Sequence, residues 1–222
     1  DMKDQLVEIG AEADKVEVVY NWSYRDTMYA PEEIDYSCLA GIIDRSKFNV
    51  VYAGNIGLMQ NVEIVIRAAA QMKDEKDICF HVIGDGMYRK KLEQMAIDLQ
   101  ADNVAFHDMM GSDCASAIYS AADVNVIPLA KDIYRTALPS KTATCLACGK
   151  PIVFAIGKES KFGQQVHDQI AARVIASDDV MGLCAAINKV KRSSGNMKNQ
   201  AFFMKGFAKT ENSSQYAKII TQ

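Results

Sequence analysis

The sequence predicts an α/β fold, a Rossmann-like doubly wound parallel sheet. From residue 48 onward, short apolar runs of strand length alternate with segments of helical period. The short runs are apolar at nearly every position instead of at every second one, which is typical of strands covered on both faces. Strands that alternate with helices of about ten residues form a parallel sheet with helices on both sides.

The six predicted strands are rich in β-branched and aromatic residues. In chain order they are FNVVYA (48–53), ICFHVIG (78–84), NVAFHDM (103–109), DVNVIPL (123–129), PIVFA (151–155) and AARVIA (171–176). The helices predicted between and after them cover residues 61–73, 88–99, 112–122, 140–147 and 178–192. Ligands of such sheets bind beyond the carboxyl ends of the strands. The loops that we expect to share this rim are 54–60, 84–87, 107–112, 128–139 and 156–163.

The segments on either side of this unit have a different character. Residues 1–20 predict a helix followed by a strand, VEVVY (16–20). Residues 21–47 have no clear period and are interpreted as a connector to the Rossmann-like domain, 48–192. Residues 193–222 predict two helices around Thr210, which we expect to pack back towards the N-terminal part.

Composition excludes several classes of protein. The chain has 222 residues, a net charge of −3 and 49% hydrophobic residues, so no nucleic-acid surface is predicted. No apolar run approaches the ~18 residues of a membrane span, and the acidic opening DMKDQLVEIG is no signal peptide. A chain that opens with Asp1 instead of Met suggests a fragment. Six scattered cysteines among apolar neighbours favour buried thiols in a cytoplasmic protein, and the Cys145–Cys148 pair lacks further ligands at zinc spacing, so no metal site is predicted.

Two glycine-rich loops lie on the expected rim. In GNIG (54–57), Gly54 and Gly57 would let the backbone approach an anion, although a tight turn explains them equally well. In GDGM (84–87), Gly84 and Gly86 permit the same approach. A dinucleotide fingerprint would need a third glycine where Arg89 stands, which argues against an NAD-dependent enzyme.

The segment 134–151 carries the strongest chemical signal. Ser140 follows Pro139 as a good helix N-cap, and Lys141 falls in the first turn, where a cation is normally disfavoured. A bound diphosphate would explain Lys141, with Arg135 facing it from the preceding loop. The alternative is that both cations are solvated, and we favour the phosphate interpretation.

Histidine and carboxylate residues give weaker signals. His81 lies in an apolar strand and is interpreted as a histidine at the edge of the core. His107 and Asp108 lie at a strand end on the rim, where a role in the pocket is open. No nucleophile triad, metal cluster or pair of carboxylates stands out on this rim, so the chain resembles a binding half more than a catalytic centre.

Five motifs occur in order along the chain: VEVVYNW (16–22), VVYAGNIGLMQNVEIVIRAA (50–69), FHVIGDGMYRKKLEQMA (80–96), SAADVNVIPL (120–129) and LPSKTATCLACGKPIV (138–153). Together they resemble one enzyme family, the family-4 retaining glycosyltransferases of the GT-B fold. The similarity is greatest to the branch that builds bacterial O-antigen and capsular polysaccharide. FAKTENSSQYAKII (207–220) also resembles the C-terminal helix of that family.

The resemblance implies two Rossmann-like domains with a nucleotide-sugar donor between them. This chain would be the C-terminal, donor-binding half, and residues 1–20 the last helix and strand of the acceptor domain. The activity implied is transfer of a sugar from a UDP- or GDP-sugar to a lipid-linked or saccharide acceptor, without a further cofactor. We expect the chain to be inactive alone, and the full-length protein to associate peripherally with the membrane. A non-catalytic nucleotide-sugar-binding module, or a subunit that depends on a partner, is the alternative.

The sequence departs from the family pattern at the expected site. Thr136 and Thr144 stand where typical members have two glutamates, and Asn55 and Gln60 stand where many have Arg and Lys. Altered donor recognition and an inactive relative therefore both stay open. The residues expected at the diphosphate are Gly54, Asn55, Gly57, Arg135, Ser140 and Lys141. Those expected near the sugar, ribose or base are Gly84, Gly86, His107, Asp108, Thr136 and Thr144.

Overall fold

The fold is a single six-stranded parallel sheet between two layers of helices. The computed structural model describes residues 1–170, 173–193 and 200–221. The strands lie in the order β3-β2-β1-β4-β5-β6, and every pair is parallel. Their bounds are β1 Phe48–Ala53, β2 Ile78–Ile83, β3 Val104–His107, β4 Val124–Pro128, β5 Ile152–Ala155 and β6 Arg173–Ile175. The α/β prediction is confirmed, and the strand order reverses between β1 and β4, where sheets of this type bind ligands.

The helices follow the predicted periodicity within one to three residues at most ends. They are α1 Met2–Glu8, α2 Glu63–Gln71, α3 Arg89–Asp98, α4 Ala115–Ala121, α5 Lys141–Ala147, α6 Lys161–Ile170, α7 Val180–Arg192, α8 Gln200–Gly206 and α9 Lys209–Ile220. Among the described residues, none of these helices is both long enough and apolar enough to cross a bilayer.

The core lies on both faces of the sheet. Val50 and Tyr52 pack into a cluster with residues of α2, α3 and α7. Val51 and Ala53 point the other way, into a cluster formed with α4, α5, α6 and α8. Successive side chains of a strand point to opposite faces, so β1 is apolar throughout because both of its faces are buried.

The N-terminal segment differs from its prediction. The helix is present as α1, but residues 16–20 form no strand in the described structure. Val16 has extended backbone angles, φ −108° and ψ 110°, yet the segment pairs with no neighbour. Tyr20 instead stacks on Phe207 at a centroid distance of 5.1 Å. The segment VEVVY therefore has the composition of a strand but pairs with none of the described strands, and its Tyr20 packs through the side chain.

The C-terminal helices α8 and α9 pack against residues 18–26. The backbone N–H of Ser23 donates to the carbonyl of Phe207 at 2.8 Å, and that of Lys209 donates to the carbonyl of Arg25 at 3.0 Å. The two helices break at Phe207 and Ala208 instead of at Thr210, because the buried Phe207 ring is drawn into the core. Residues 194–199, at the start of the predicted C-terminal segment, and 171–172, at the start of the sixth predicted strand, lie outside the described residues.

Candidate functional site

A cavity of about 790 Å³ opens at the rim where β1 and β4 diverge. Its walls come from the ends of β1 and β4, the start of α5, one side of α4 and the connector. The lining residues are Asn21, Trp22, Ser23, Tyr24, Ala53, Gly54, Asn55, Met59, Gln60, Ala115, Tyr119, Pro128, Leu129, Ile133, Ala137, Pro139, Ser140, Lys141 and Thr144. A cavity of this size is within the range that holds a cofactor or a nucleotide-sized ligand.

Lys141 is the most unusual group in this cavity. The residue as a whole is half-buried, but its Nζ is inaccessible to solvent and has no hydrogen-bond partner among the described residues. The ammonium lies 3.9 Å from the ring centroid of Tyr52, which gives it a cation–π contact only. Burial lowers the pKa of Lys141 to about 8. An unpaired ammonium in such a place is costly unless a ligand supplies the missing acceptors.

The lining of the cavity suits an anion. Of the described residues around it, Lys141 is the only one with a formal charge at pH 7, and no Asp or Glu is present. No nearby carboxylate therefore competes for the ammonium. Among the described residues, no group of three or more His, Cys, Asp or Glu side chains is placed to hold a metal ion.

Gly54 creates the space that Lys141 occupies. Its φ is +133°, and a Cβ built on it would lie 2.8 Å from Nζ of Lys141. Tyr52 also fixes the loop, because its hydroxyl donates to the carbonyl of Asn55. The first glycine of GNIG is thus explained by contact with the lysine that was predicted to bind phosphate.

Asn55 and Gly57 are tied together by Gln60. Asn55 Nδ2 and the Gly57 backbone N–H both donate to Gln60 Oε1, at 3.2 and 3.1 Å. Asn55 and Gln60 line the cavity, whereas Gly57 lies behind them. The two side chains that stand in place of basic residues therefore shape the loop and offer amide groups to a ligand.

Gly84 and Gly86 support the cavity from below. A Cβ on Gly84 would lie 2.0 Å from the carbonyl oxygen of Gly54, and one on Gly86 would lie 2.3 Å from that of Ile56. Both glycines are needed because the two loops pack backbone against backbone. Neither lines the cavity, so the structure gives them a packing role.

The five residues of segment 134–151 predicted to meet the donor separate into two groups. Ser140, Lys141 and Thr144 line the cavity, on the same side of α5. Arg135 instead pairs with Glu8 of α1 at 2.5 Å, and Thr136 Oγ1 donates to the carbonyl of Ile133 at 3.2 Å. Ser140 precedes the helix, but its side chain makes no capping hydrogen bond. Its hydroxyl is therefore not committed to the helix end.

His107 is the end of a hydrogen-bonded chain across three strands. Asn49 Nδ2 donates to the carbonyls of Asp44 and Lys47, at 3.0 and 2.8 Å, which turns Asn49 Oδ1 towards His81 Nε2 at 3.0 Å. His81 Nε2 must then carry the proton. Burial lowers the pKa of His81 to about 4, so its Nδ1 is an acceptor at neutral pH and His107 Nε2 donates to it at 3.1 Å.

Asp108 belongs to a network centred on Arg89. The Arg89 Nη1 donates to the carbonyl of Gly84 at 2.9 Å and to Asp108 Oδ1 at 2.8 Å. The same atom reaches the carbonyl of His107 at 3.3 Å. Arg89, which excluded the dinucleotide fingerprint, thus joins the ends of β2 and β3 and holds the rim in place.

Comparison with known proteins identifies the family. Residues 47–193 match the family model described as "Glycosyl transferases group 1". The chain belongs to that family. The match spans the whole parallel sheet together with the loop that carries Gly54 and the helix α5 that carries Lys141 and Thr144.

Curated relatives are named as glycosyltransferases. "Putative colanic acid biosynthesis glycosyl transferase WcaI" of Escherichia coli (strain K12) is 28% identical over 165 residues, which is 73% of this chain and 40% of that protein. "Probable glycosyltransferase WbjE" of Pseudomonas aeruginosa is 22% identical over 139 residues, 63% of this chain and 34% of that protein. The chain thus spans less than half the length of the curated relatives it matches.

Solved structures show the same fold at low identity. The crystal structure of Anabaena Alr3699/HepE in complex with UDP-glucose matches with a TM-score of 0.81 and 19% identity, over 99% of this chain and 61% of that one. Sucrose-phosphate synthase of Thermosynechococcus elongatus matches with a TM-score of 0.69 and 18% identity, over 83% of this chain and 48% of that one. The GT-B-like, Rossmann-type fold of this group 1 glycosyltransferase chain is therefore shared with both.

The structure of this group 1 glycosyltransferase chain adds site residues that the sequence did not single out. Asn21, Trp22 and Tyr24, from the supposed connector, form one wall of the cavity. Tyr119 of α4 also lines it and donates from its hydroxyl to the carbonyl of Ala53 at 3.3 Å. In the sequence, the one feature that could have pointed to this wall is the pair of aromatic residues in NWSY (21–24), directly after VEVVY.

Proposed function

We propose that this chain is the donor-binding part of a glycosyltransferase of bacterial polysaccharide biosynthesis. The donor is a nucleotide-diphosphate sugar, with UDP or GDP as nucleotide, and the acceptor is a lipid-linked or saccharide glycan. The observation that carries the proposal is the buried, unpartnered ammonium of Lys141 in a cavity without carboxylates. Membership of the family and the names of the relatives support the same reaction class.

The proposed role of the chain follows from what the cavity offers. Lys141 would pair with the diphosphate and offset part of its charge, and Ser140, Thr144 and Asn55 would supply uncharged hydrogen bonds to the rest of the donor. Stabilising the leaving diphosphate is the catalytic contribution that such a group can make. We further propose that the transfer retains the anomeric configuration of the donor sugar, as the resemblance to family 4 implies. A lipid-linked acceptor would hold the full-length protein peripherally at the cytoplasmic side of the membrane.

Titration calorimetry with UDP, pyrophosphate and uridine tests this site. We expect Lys141→Met to weaken UDP and pyrophosphate binding by roughly 5- to 150-fold, equivalent to about 1–3 kcal/mol for a hydrogen bond to a charged group. Uridine binding should not change, because it lacks the diphosphate. Lys150→Met, at a lysine beyond the C-terminal end of α5 and outside the cavity lining, is the matched control and should behave as wild type. Unchanged UDP affinity in Lys141→Met would contradict the proposal.

A second candidate, a non-catalytic nucleotide-sugar-binding module, is favoured by one observation. Thr144 lines the cavity at a position where the family resemblance implies a glutamate. Both candidates predict that this chain binds UDP. Release of UDP from a nucleotide sugar, measured with the longer protein and a saccharide acceptor, separates them, because a binding module releases none.

A further inference from the structure

The connector places an aromatic side chain at the cavity, on a backbone that hydrogen bonds hold in place. Tyr24 lines the cavity although 93% of its surface is exposed. Among the described residues it has no aromatic partner and no side-chain hydrogen bond. Trp22, on the same wall, is half-buried and packs against Tyr216 with a centroid distance of 6.5 Å. Trp22 is therefore packed against α9, whereas the Tyr24 ring has no such contact among the described residues.

The backbone on both sides of Tyr24 is fixed. Ser23 N–H donates to the carbonyl of Phe207 at 2.8 Å, and Arg25 N–H donates to Ser23 Oγ at 3.3 Å. Beyond them, the carbonyl of Arg25 accepts from Lys209 N–H at 3.0 Å, and Asp26 Oδ1 accepts from Thr210 N–H at 2.6 Å. The direction in which Tyr24 leaves the chain is thus set by α8 and α9.

The remaining Arg25 contacts strengthen the same arrangement. Its guanidinium donates to Glu33 at 2.7 Å and lies 4.3 Å from the ring centroid of Tyr29. The charge of Arg25 is therefore directed away from the cavity, into the connector. The connector residues that line the cavity are all uncharged, and two of them, Trp22 and Tyr24, are aromatic.

We propose that Tyr24 is the stacking platform for the nucleobase of the donor. This inference rests on the proposed function, in which Lys141 holds the diphosphate. The rest of the cavity lining is uncharged and offers a base amide groups, hydroxyl groups and aromatic surface. The backbone on both sides of Tyr24 is fixed by hydrogen bonds, so only the tyrosine side chain has to be ordered on binding, and every nucleobase has a flat π-face on which it can stack.

Affinity measurements with two Tyr24 variants test the proposal. Stacking on one aromatic side chain is typically worth enough that Tyr24→Ala should weaken UDP binding roughly tenfold. Tyr24→Phe keeps the ring and should bind UDP as wild type does. Pyrophosphate, which has no base, should bind both variants like wild type. Ile97→Ala, which removes a similarly exposed side chain from α3 outside the cavity, is the matched control.

The outcomes separate this inference from the proposed function. Undiminished UDP affinity in Tyr24→Ala, in a chain that binds UDP through Lys141, contradicts the inference alone. An equal loss for UDP and pyrophosphate also contradicts it, because that loss would come from a disturbed site. If Tyr24→Ala binds UDP-glucose more weakly but binds UDP as wild type does, the ring contacts the sugar and not the base, and the assignment is overturned. Wild-type protein that binds neither UDP nor pyrophosphate contradicts the proposed function and the inference together.

Discussion

At the scale of single residues, the cavity is defined by a charge that the fold leaves unpaired. Lys141 Nζ is buried against Tyr52 and faces the space left by Gly54. Taking an ammonium out of water without a hydrogen-bonding partner costs free energy. The cation–π contact with the Tyr52 ring offsets only part of this cost. Ionisable groups that burial perturbs in this way are concentrated at functional sites.

This cost leads to a prediction for the dependence of stability on pH. The pKa of Lys141 is lowered by burial to about 8 in the folded protein, while an unfolded lysine keeps its ordinary value of about 10.4. Below pH 8 the ammonium is charged in both states and its burial cost is fully present. Between about pH 8 and 10.4 the unfolded chain binds more protons, so the free energy of unfolding rises with pH.

We therefore expect Lys141→Met to be more stable than wild type at pH 7, by up to about 3 kcal/mol, and to lose this advantage above pH 10. Urea denaturation of both proteins at pH 7, 8.5 and 10 measures the difference. Lys150→Met controls for the loss of a lysine just beyond the C-terminal end of α5. Parallel stability curves for wild type and Lys141→Met would show that the ammonium carries no burial cost.

A pair of glycines allows steric contact to be separated from backbone strain. Gly84 and Gly41 both have positive φ, +149° and +75°, but a Cβ meets the Gly54 carbonyl only at Gly84. Gly41→Ala should cost about 1 kcal/mol for the left-handed backbone alone. Gly84→Ala should cost at least about 2 kcal/mol more, because the loop below the cavity must move. Chemical denaturation of the two variants checks this, and equal losses would contradict the steric explanation.

At the scale of elements, two helix N-termini that look alike in sequence are built differently. Asp179 Oδ1 accepts the Gly182 backbone N–H at 2.7 Å and caps α7. Ser140 stands in the same position before α5, but with φ −58° and ψ −30° it is already helical. A capping side chain needs an extended backbone angle at the cap to reach the free N–H groups. The predicted Ser140 cap is therefore wrong, because Ser140 already belongs to the turn that carries Lys141.

Alanine substitutions at the N-termini of α5 and α7 should differ in their effect on stability. Asp179→Ala is expected to lower the free energy of unfolding by about 1 kcal/mol, the usual cost of a lost cap. Ser140→Ala is expected to change it by less than about 0.5 kcal/mol, as for a surface residue without a specific role. Thermal melting of both variants at one pH measures the contrast. If Ser140→Ala lowers the free energy of unfolding as much as Asp179→Ala does, Ser140 is a helix cap after all.

At the scale of the whole molecule, the two ends of the chain meet beside the cavity. Phe207 is fully buried and packs against Tyr20, Phe162 and Phe202. Through its carbonyl it also holds Ser23, on the wall that carries Tyr24. The packing of α8 and α9 therefore contributes to the shape of the cavity as well as to stability.

Phe207→Ala should affect stability and the cavity wall together. We expect a loss of about 3–5 kcal/mol, as for other aromatic residues removed from a core. In the same variant, hydrogen exchange at the amides of Ser23 and Lys209 should become faster than in wild type. Tyr216→Ala removes a half-exposed ring from α9 and should cost far less. Unchanged exchange at Ser23 in a folded Phe207→Ala protein would show that α8 does not hold this wall.

The sequence by itself determined the sheet and most helices, because these follow from local patterns. Continuous apolar runs such as 48–53 indicate strands buried on both faces, and the six runs also fixed the rim on which Gly54 and Lys141 lie. Family resemblance added the reaction class, which the match over residues 47–193 supports.

Only the tertiary structure decided what these residues contact. Lys141 meets Tyr52 from β1, Arg135 pairs with Glu8, and Tyr24 reaches the cavity because α8 and α9 hold its neighbours. VEVVY has strand composition but pairs with none of the described strands. The physical reason is the same in each case: local periodicity reports which face of an element is buried, whereas a pairing between residues far apart in sequence depends on how whole elements pack.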